Sequence, residues 1–355
     1  MISLDKLGYN LYFEKIESDS IPVDFEVGRV LVEHKERYIV STKNGETEAE
    51  ITGHLRYTAQ SREDFPSVGD WVALTEYDTG IAIIHKILPR YSVIKRKAVG
   101  TFGDVQIIAS NIDYALIVQA VDRDFNINRI ERYLTICNSS NVQPIIVLSK
   151  IDLIQNQELV EIVQGIQHRV KGIPIVEISN ESHYGYEELS ALIEKGRTYC
   201  MLGSSGVGKS TLLNNLIGQT MMKTGSISQS INRGRHVTSH RELFVLMNGG
   251  LIIDNPGMRE VGIADTSNGL EMTFEKILLL AENCRYKDCT HREEAGCNVL
   301  KAVETGELDH TSYENYLKME REKAHFESTT YEKRKKDKDF GKLLKNYKKD
   351  MRKNP

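Results

Sequence analysis

The chain has 355 residues, 40% hydrophobic and 27% charged, which fits two or three domains and excludes a wholly disordered protein. No apolar run reaches the ~18–20 residues of a membrane span, and the opening MISLDKLGYN lacks the basic-then-apolar pattern of an export signal, so the expected compartment is the cytoplasm. The net charge is −4, but residues 331–355 hold 11 Lys or Arg against 4 Asp or Glu, a basic tail that suits either a polyanion such as RNA or a solvated helix.

Residues 24–97 read as β-structure. EVGRVLVEH, RYIVSTKNGE, TEAEITGHL, GDWVALTEY and GIAIIHKIL are short, partly alternating runs, with turn signals at Asn44-Gly45, from Ser67 to Asp70 and from Asp78 to Gly80. Five strands in this space fit a small closed barrel, most commonly an OB-fold, so residues 1–100 are expected to form an OB-like barrel that binds RNA. Arg90, Lys95, Arg96 and Lys97 follow it; they form either a nucleic-acid face or a solvated exit strand.

From about residue 112 the period changes. YALIVQAV, QPIIVLS, IPIVEIS and TYCML are continuous apolar runs, and NINRIERYLTICN, ELVEIVQGIQHRV and YEELSALIEKG between them have helical spacing. The alternation predicts a parallel sheet covered on both faces, over residues 101–265. Residues 266–355 read as helical, interrupted by a Cys-rich segment.

Gly203-Ser204-Ser205-Gly206-Val207-Gly208-Lys209-Ser210-Thr211 matches the phosphate-loop pattern G-x-x-x-x-G-K-[ST], with a strand before it and a helix after it. Its glycines let backbone N–H groups face the phosphates, Lys209 supplies charge, and the Ser210 hydroxyl suits Mg²⁺. Asp254-Asn255-Pro256-Gly257 ends the strand LIID; there Asp254 suits a water-mediated hold on Mg²⁺ and Gly257 an N–H to the γ-phosphate. Thr238, in the polar segment before ELFVLMN, is placed to cap Mg²⁺ as a switch threonine does, with Thr220 and Thr224 as competitors.

Ser149-Lys150-Ile151-Asp152 closes the strand PIIVL. It resembles the guanine motif N-K-x-D, whose carboxylate accepts two bonds that adenine cannot donate. Ser149 stands where that motif has Asn and offers fewer bonds. Ser179-Asn180 follows the next strand, where a backbone N–H supports the base.

Five cysteines without an export signal argue against a disulfide framework. Cys137 and Cys200 read as small core residues. Cys284, Cys289, His291 and Cys297 form a Cys₃His set in the polar segment ENCRYKDCTHREEAGC, which indicates one structural Zn²⁺.

The order of these motifs is unusual, with the base reader before the phosphate loop and D-N-P-G last. A permuted chain builds the same sheet. With its barrel, G-S-S-G-V-G-K-S-T, G-R-H-V-T-S-H-R-E-L, D-N-P-G-M-R-E and the metal motif, the sequence resembles the RsgA/YjeQ family of circularly permuted, ribosome-associated GTPases. The resemblance implies a multidomain fold: an OB-like barrel, a permuted α/β GTPase domain and a helical zinc domain. It implies hydrolysis of GTP with Mg²⁺, stimulated by the small ribosomal subunit during its late maturation. Contacts to rRNA, a monomeric state and no membrane partner go with it. Met258 stands where Ras-like GTPases carry a water-orienting Gln, and the resemblance points instead to His236 as the catalytic group. Two rivals remain from sequence: an ATP-driven phosphotransferase and an RNA-binding scaffold with weak hydrolysis.

Overall fold

The computed structural model describes residues 3–22, 24–34, 37–78, 80–97, 105–122, 125–224, 241–254 and 267–327. A 3-10 turn at Leu4–Leu7 and helix α1, Leu11–Ser20, precede the first strand. The sequence pattern does not announce them. Tertiary contact holds α1: the Phe13 ring lies 5.5 Å from Trp71 and 5.9 Å from Tyr91.

The five expected strands are β1 (Glu26–His34), β2 (Arg37–Thr42), β3 (Gly45–Ile51), β4 (Trp71–Asp78) and β5 (Ile81–Ile87), with helix α2 (Gly53–Thr58) between β3 and β4. They run in the order β1-β2-β3-β5-β4, and β4 pairs back onto β1 to close the barrel. Val30, Val40, Ile51, Val72, Leu74 and Ile84 fill its interior. β1 shifts register between Val30 and Val32. Such a bulge bends a strand, and here the far end of β1 leaves the barrel to pair with another sheet.

An antiparallel pair of strands, β6 (Val93–Lys97) and β7 (Val105–Ser110), follows. The βα series then appears as β8 (Tyr114–Ala120), α3 (Ile127–Ser139), β9 (Gln143–Ser149), α4 (Asn156–Arg169), β10 (Ile175–Glu177), α5 (Tyr186–Ala191), β11 (Thr198–Leu202) and α6 (Lys209–Thr224). Strands β12 (Arg241–Val245) and β13 (Leu251–Asp254) complete it. The order is β10-β9-β8-β11-β13-β12, parallel except for β12. Alternate residues serve opposite faces: Ile117 and Ile146 join the core with α3 and α4, while Val118 and Val147 join the one with α6. This two-sided burial is why the strands read as continuous apolar runs. Cys137 and Cys200 are buried, as expected.

The barrel and this sheet are continuous, because β12 pairs with β1 at Val32↔Glu242 and Glu33↔Arg241. On the opposite flank, helices α7 (Ser267–Thr273), α8 (Glu275–Ala281), α9 (Asn298–Glu304) and α10 (His310–Glu327) share a core of Phe274, Ile277, Val299, Tyr316 and Met319. Helix α7 rests on α3 by backbone contact: a Cβ at Gly269 would lie 2.3 Å from the Thr135 carbonyl oxygen. No described helix is long and apolar enough to cross a membrane.

Candidate functional site

The carboxyl ends of β9, β10, β11 and β13 share one rim of the sheet, the edge where open α/β sheets bind ligands. Residues 203–208 join β11 to α6. Gly203, Gly206 and Gly208 all have positive φ, of 153°, 84° and 94°. Ser205 and Gly206 form the exposed crest, Val207 is buried below, and Ser210 and Thr211 are exposed in the first turn of α6. The Lys209 ammonium donates to the Gly203 carbonyl at 2.7 Å and the Ser204 carbonyl at 2.5 Å. Burial lowers its pKa to about 8, and the charge of nearby Asp254 opposes that shift. Asp254 itself is buried at the end of β13.

The base-reading candidates lie beside this loop. The buried Ser149 hydroxyl donates to the Val207 carbonyl at 2.6 Å. Lys150 sits at φ 62°, and its ammonium pairs with Asp122 at 2.9 Å. Ile151 and Asp152 form the following 3-10 turn. One Asp152 carboxylate oxygen accepts from the Ser179 hydroxyl at 2.5 Å. Ser179 therefore touches the carboxylate, a side-chain contact beyond the backbone N–H expected at this element. Two further residues, Tyr186 and Asn215, escaped the motif search. The Asn180 amide donates to the Gly208 carbonyl at 3.2 Å, and Tyr186 and Asn215 bond to Asn180 in turn. Only the position of Asn180 after β10 signals this in sequence. His236, Thr238 and Gly257 lie outside the described residues, as do the tail 331–355 and Asn255, Pro256 and Met258.

The second cluster holds Cys284, Cys289, His291 and Cys297, whose ligand atoms lie within 4.8 Å of one another. The Cys284 sulfur is 3.9 Å from that of Cys297 and 3.6 Å from His291 Nδ1, and Cys297 is 3.5 Å from the same nitrogen. Tetrahedral Zn²⁺ with Zn–S of about 2.3 Å and Zn–N of about 2.0–2.1 Å would place sulfurs about 3.8 Å apart and sulfur about 3.5 Å from nitrogen. The donor set and spacing therefore fit zinc. Local bonds hold the arrangement. The Asn298 N–H donates to Cys284 at 3.3 Å, and Tyr313 donates to the His291 carbonyl at 2.6 Å. The Glu294 carboxylate gathers the Thr290 hydroxyl and the N–H groups of Thr290, Arg292 and Glu293, and the Thr290 bonds lead in lowering its pKa.

Two of the four basic residues after the barrel are committed internally. Arg90 pairs with Asp70 at 2.6 Å and donates to the Glu63 and Phe65 carbonyls, and Lys95 pairs with Glu63 at 2.6 Å. They tie the barrel together instead of forming an open cationic face. The side chains of Arg96 and Lys97 lie outside the described set.

The family model described as RsgA GTPase matches residues 87–264, half of the chain. A protein of Oceanobacillus iheyensis named small ribosomal subunit biogenesis GTPase RsgA 1 is 43% identical over 303 residues, covering 85% of this chain and 86% of its own. The chain belongs to the RsgA GTPase family. As a family member it is a hydrolase acting on GTP, with use of Mg²⁺. A like-named protein of Bacteroides thetaiotaomicron is 40% identical over 92% of this chain and 91% of its own. The crystal structure of YjeQ from Thermotoga maritima superposes with a TM-score of 0.61 at 27% identity, covering 83% of this chain and 97% of that one. The structure of YloQ, described as a circularly permuted GTPase, shares the fold with a TM-score of 0.60. An ABC transporter model also matches, over residues 186–350; that span contains the strand–loop–helix of the phosphate loop, a motif common to many nucleotide-binding proteins. In this RsgA-family chain the permutation is visible as sheet order: β11, which carries the phosphate loop, is inserted between β8 and β13.

Proposed function

We propose that this GTPase acts on the small ribosomal subunit late in its maturation, and that the subunit stimulates its hydrolysis of GTP to GDP and phosphate. The observation that carries the reading is the seam between β12 and β1. Strand β12 begins where the segment bearing His236 and Thr238 ends. A barrel seated on rRNA is thereby tied through backbone to the strand leaving that segment. The names of the relatives from Oceanobacillus and Bacteroides supply the subunit as the partner to test.

In this reading the N–H groups of Gly203, Ser204, Ser205, Gly206, Val207 and Gly208 surround the phosphates, Lys209 supplies charge, and Thr211 closes the motif. Ser210 and Thr238 hold Mg²⁺, Asp254 reaches it through water, and the Gly257 N–H meets the γ-phosphate. Asp152 reads guanine, Lys150 lies along the base, and Ser149, Ile151 and Ser179 frame them. His236 orients the attacking water. Cys284, Cys289, His291 and Cys297 hold one structural Zn²⁺. The chain divides into parts at 1–100, 101–265 and 266–355, with rRNA meeting the first and last, and works as a cytoplasmic monomer.

GTP turnover measured with and without purified small subunits tests this. Faster turnover with subunits supports the reading, and an unchanged rate rejects it. His236→Ala is expected to keep GTP binding and lose most of the stimulated rate. If that variant is stimulated as strongly as the parent, the water is oriented by another group.

A further inference from the structure

Ser149 leaves the base motif one amide short of N-K-x-D. An amide from another strand end stands at the loop it would have served. We propose that the Asn180 side chain, oriented by Tyr186 and Asn215, is a positioning group that clamps the base-reading elements to the phosphate loop and so strengthens guanine-nucleotide binding. The proposal rests on the reading of this rim as the nucleotide site.

The bonds are specific. Ser149 donates to the Val207 carbonyl at 2.6 Å, and Asn180 donates to the next carbonyl, that of Gly208, at 3.2 Å. In a trans peptide the C=O and the following N–H point in opposite directions. Holding the Val207 carbonyl therefore aims the Gly208 N–H, and holding the Gly208 carbonyl aims the Lys209 N–H. Two adjacent donors of the phosphate loop are thus directed by one residue from β9 and one following β10.

The Asn180 amide has a fixed orientation. Its Oδ1 accepts from the Tyr186 hydroxyl at 2.7 Å, while the Tyr186 oxygen accepts from Asn215 at 2.9 Å. Asn215 also donates to the Asn180 backbone carbonyl at 3.3 Å. With its proton committed to Oδ1 and its oxygen to Asn215, the buried Tyr186 leaves Asn180 only its Nδ2 for Gly208. Gly208 must lack a side chain for this contact, since a Cβ there would sit 2.6 Å from Nδ2.

GDP affinity of the full chain with Mg²⁺ tests the clamp. Asn180→Ala is expected to weaken GDP roughly three- to tenfold, the size of one net hydrogen bond. Tyr186→Phe, which removes only the hydroxyl, is expected to weaken it by a smaller factor. Ser149→Asn placed in the Asn180→Ala background is expected to restore most of the affinity, which repair of a merely structural defect at 180 would not do. Parent-like affinity in Asn180→Ala, or no rescue by Ser149→Asn, overturns the proposal. Should Asn180→Ala fail to fold, parent-like affinity in Tyr186→Phe overturns it instead. Lys209→Ala separates the two levels: it loses GDP if this rim is the nucleotide site, and if it binds GDP normally that underlying reading has failed.

Discussion

The GTPase sheet is gripped on two flanks by different chemistry. On the barrel flank the seam is a backbone ladder in which β12 and β1 pair directly, braced by the Arg241 guanidinium, which donates to the Ile107 carbonyl of β7 at 2.7 Å. Behind it the buried Arg29 guanidinium donates to the carbonyls of Gly69 at 3.2 Å and Asn111 at 3.0 Å, and to that of Leu7. On the C-terminal flank the join is made largely of side chains around one carboxylate. Glu131, on α3, accepts from Arg169 at 2.6 Å, Ser312 at 2.8 Å and Asn315 at 2.7 Å. Arg132 adds a pair with Glu322. A backbone ladder depends little on any one side chain, whereas a buried hub fails when its central charge goes. The barrel flank therefore transmits strand position through its ladder, and the C-terminal flank rests more heavily on single side chains.

The largest contrast is expected on removal of zinc. Structural Zn²⁺ contributes on the order of 10 kcal/mol to such folds, so chelation or Cys289→Ser should open α8, α9 and α10 while the barrel seam stays closed. Nucleotide binding should persist, because the GTPase sheet has cores of its own on both faces. Hydrogen exchange compared between residues 298–327 and 26–34 reads this directly. Equal loss in both, or purified protein without zinc by elemental analysis, would break the comparison.

A smaller effect is expected from Glu131→Ala. The carboxylate and Arg169 are both buried, with side chains 3% and 8% exposed; without Glu131 the guanidinium keeps only the longer pair with Asp309 at 3.8 Å and its bonds to Asn128 and Thr311, so the loss should be about 2–3 kcal/mol, below that of a fully orphaned charge. Thermal unfolding measures the loss, and faster exchange in α7 and α10 with β1 unaffected locates it. A cost under about 1 kcal/mol would place the C-terminal grip in the apolar contacts instead.

The smallest effect belongs to the seam. Burial raises the pKa of Glu33, against the pull of Arg241 at 3.6 Å. A carboxyl with a raised folded pKa contributes stability when protonated, and that contribution is lost as pH rises through the folded value. Glu33→Gln should therefore change stability at neutral pH by less than about 1 kcal/mol and flatten its pH dependence above the ordinary carboxylate range. Melting temperatures of parent and variant above that range check the sign. A large neutral-pH loss in the variant would show that the seam depends on side-chain charge after all.

Much of the molecule was legible in the chain itself. Alternating runs gave the five barrel strands, continuous apolar runs gave β8, β9, β11 and β13, and fixed spacing gave the phosphate loop and the Cys₃His set, because each of these is built from neighbours in sequence. Helix α1 was not legible, since Phe13 is buried by Trp71 and Tyr91, residues far along the chain. The basic residues Arg90 and Lys95 read as a surface from spacing alone, and only the fold supplied Asp70 and Glu63 as their partners.

The sequence by itself determined the chemistry at hand: a phosphate loop, a carboxylate suited to guanine, thiols spaced to suit a metal, and a motif order that requires permutation. Only the tertiary structure decided how these parts are joined. The Ser149–Val207 and Asn180–Gly208 bonds, the Glu131 hub and the β12–β1 seam each link segments distant in sequence. A motif is legible because its groups must be adjacent in the chain to share one turn or strand. A long-range contact is not, because it depends on where the whole chain's apolar burial brings two segments together, and that is a property of the packed fold.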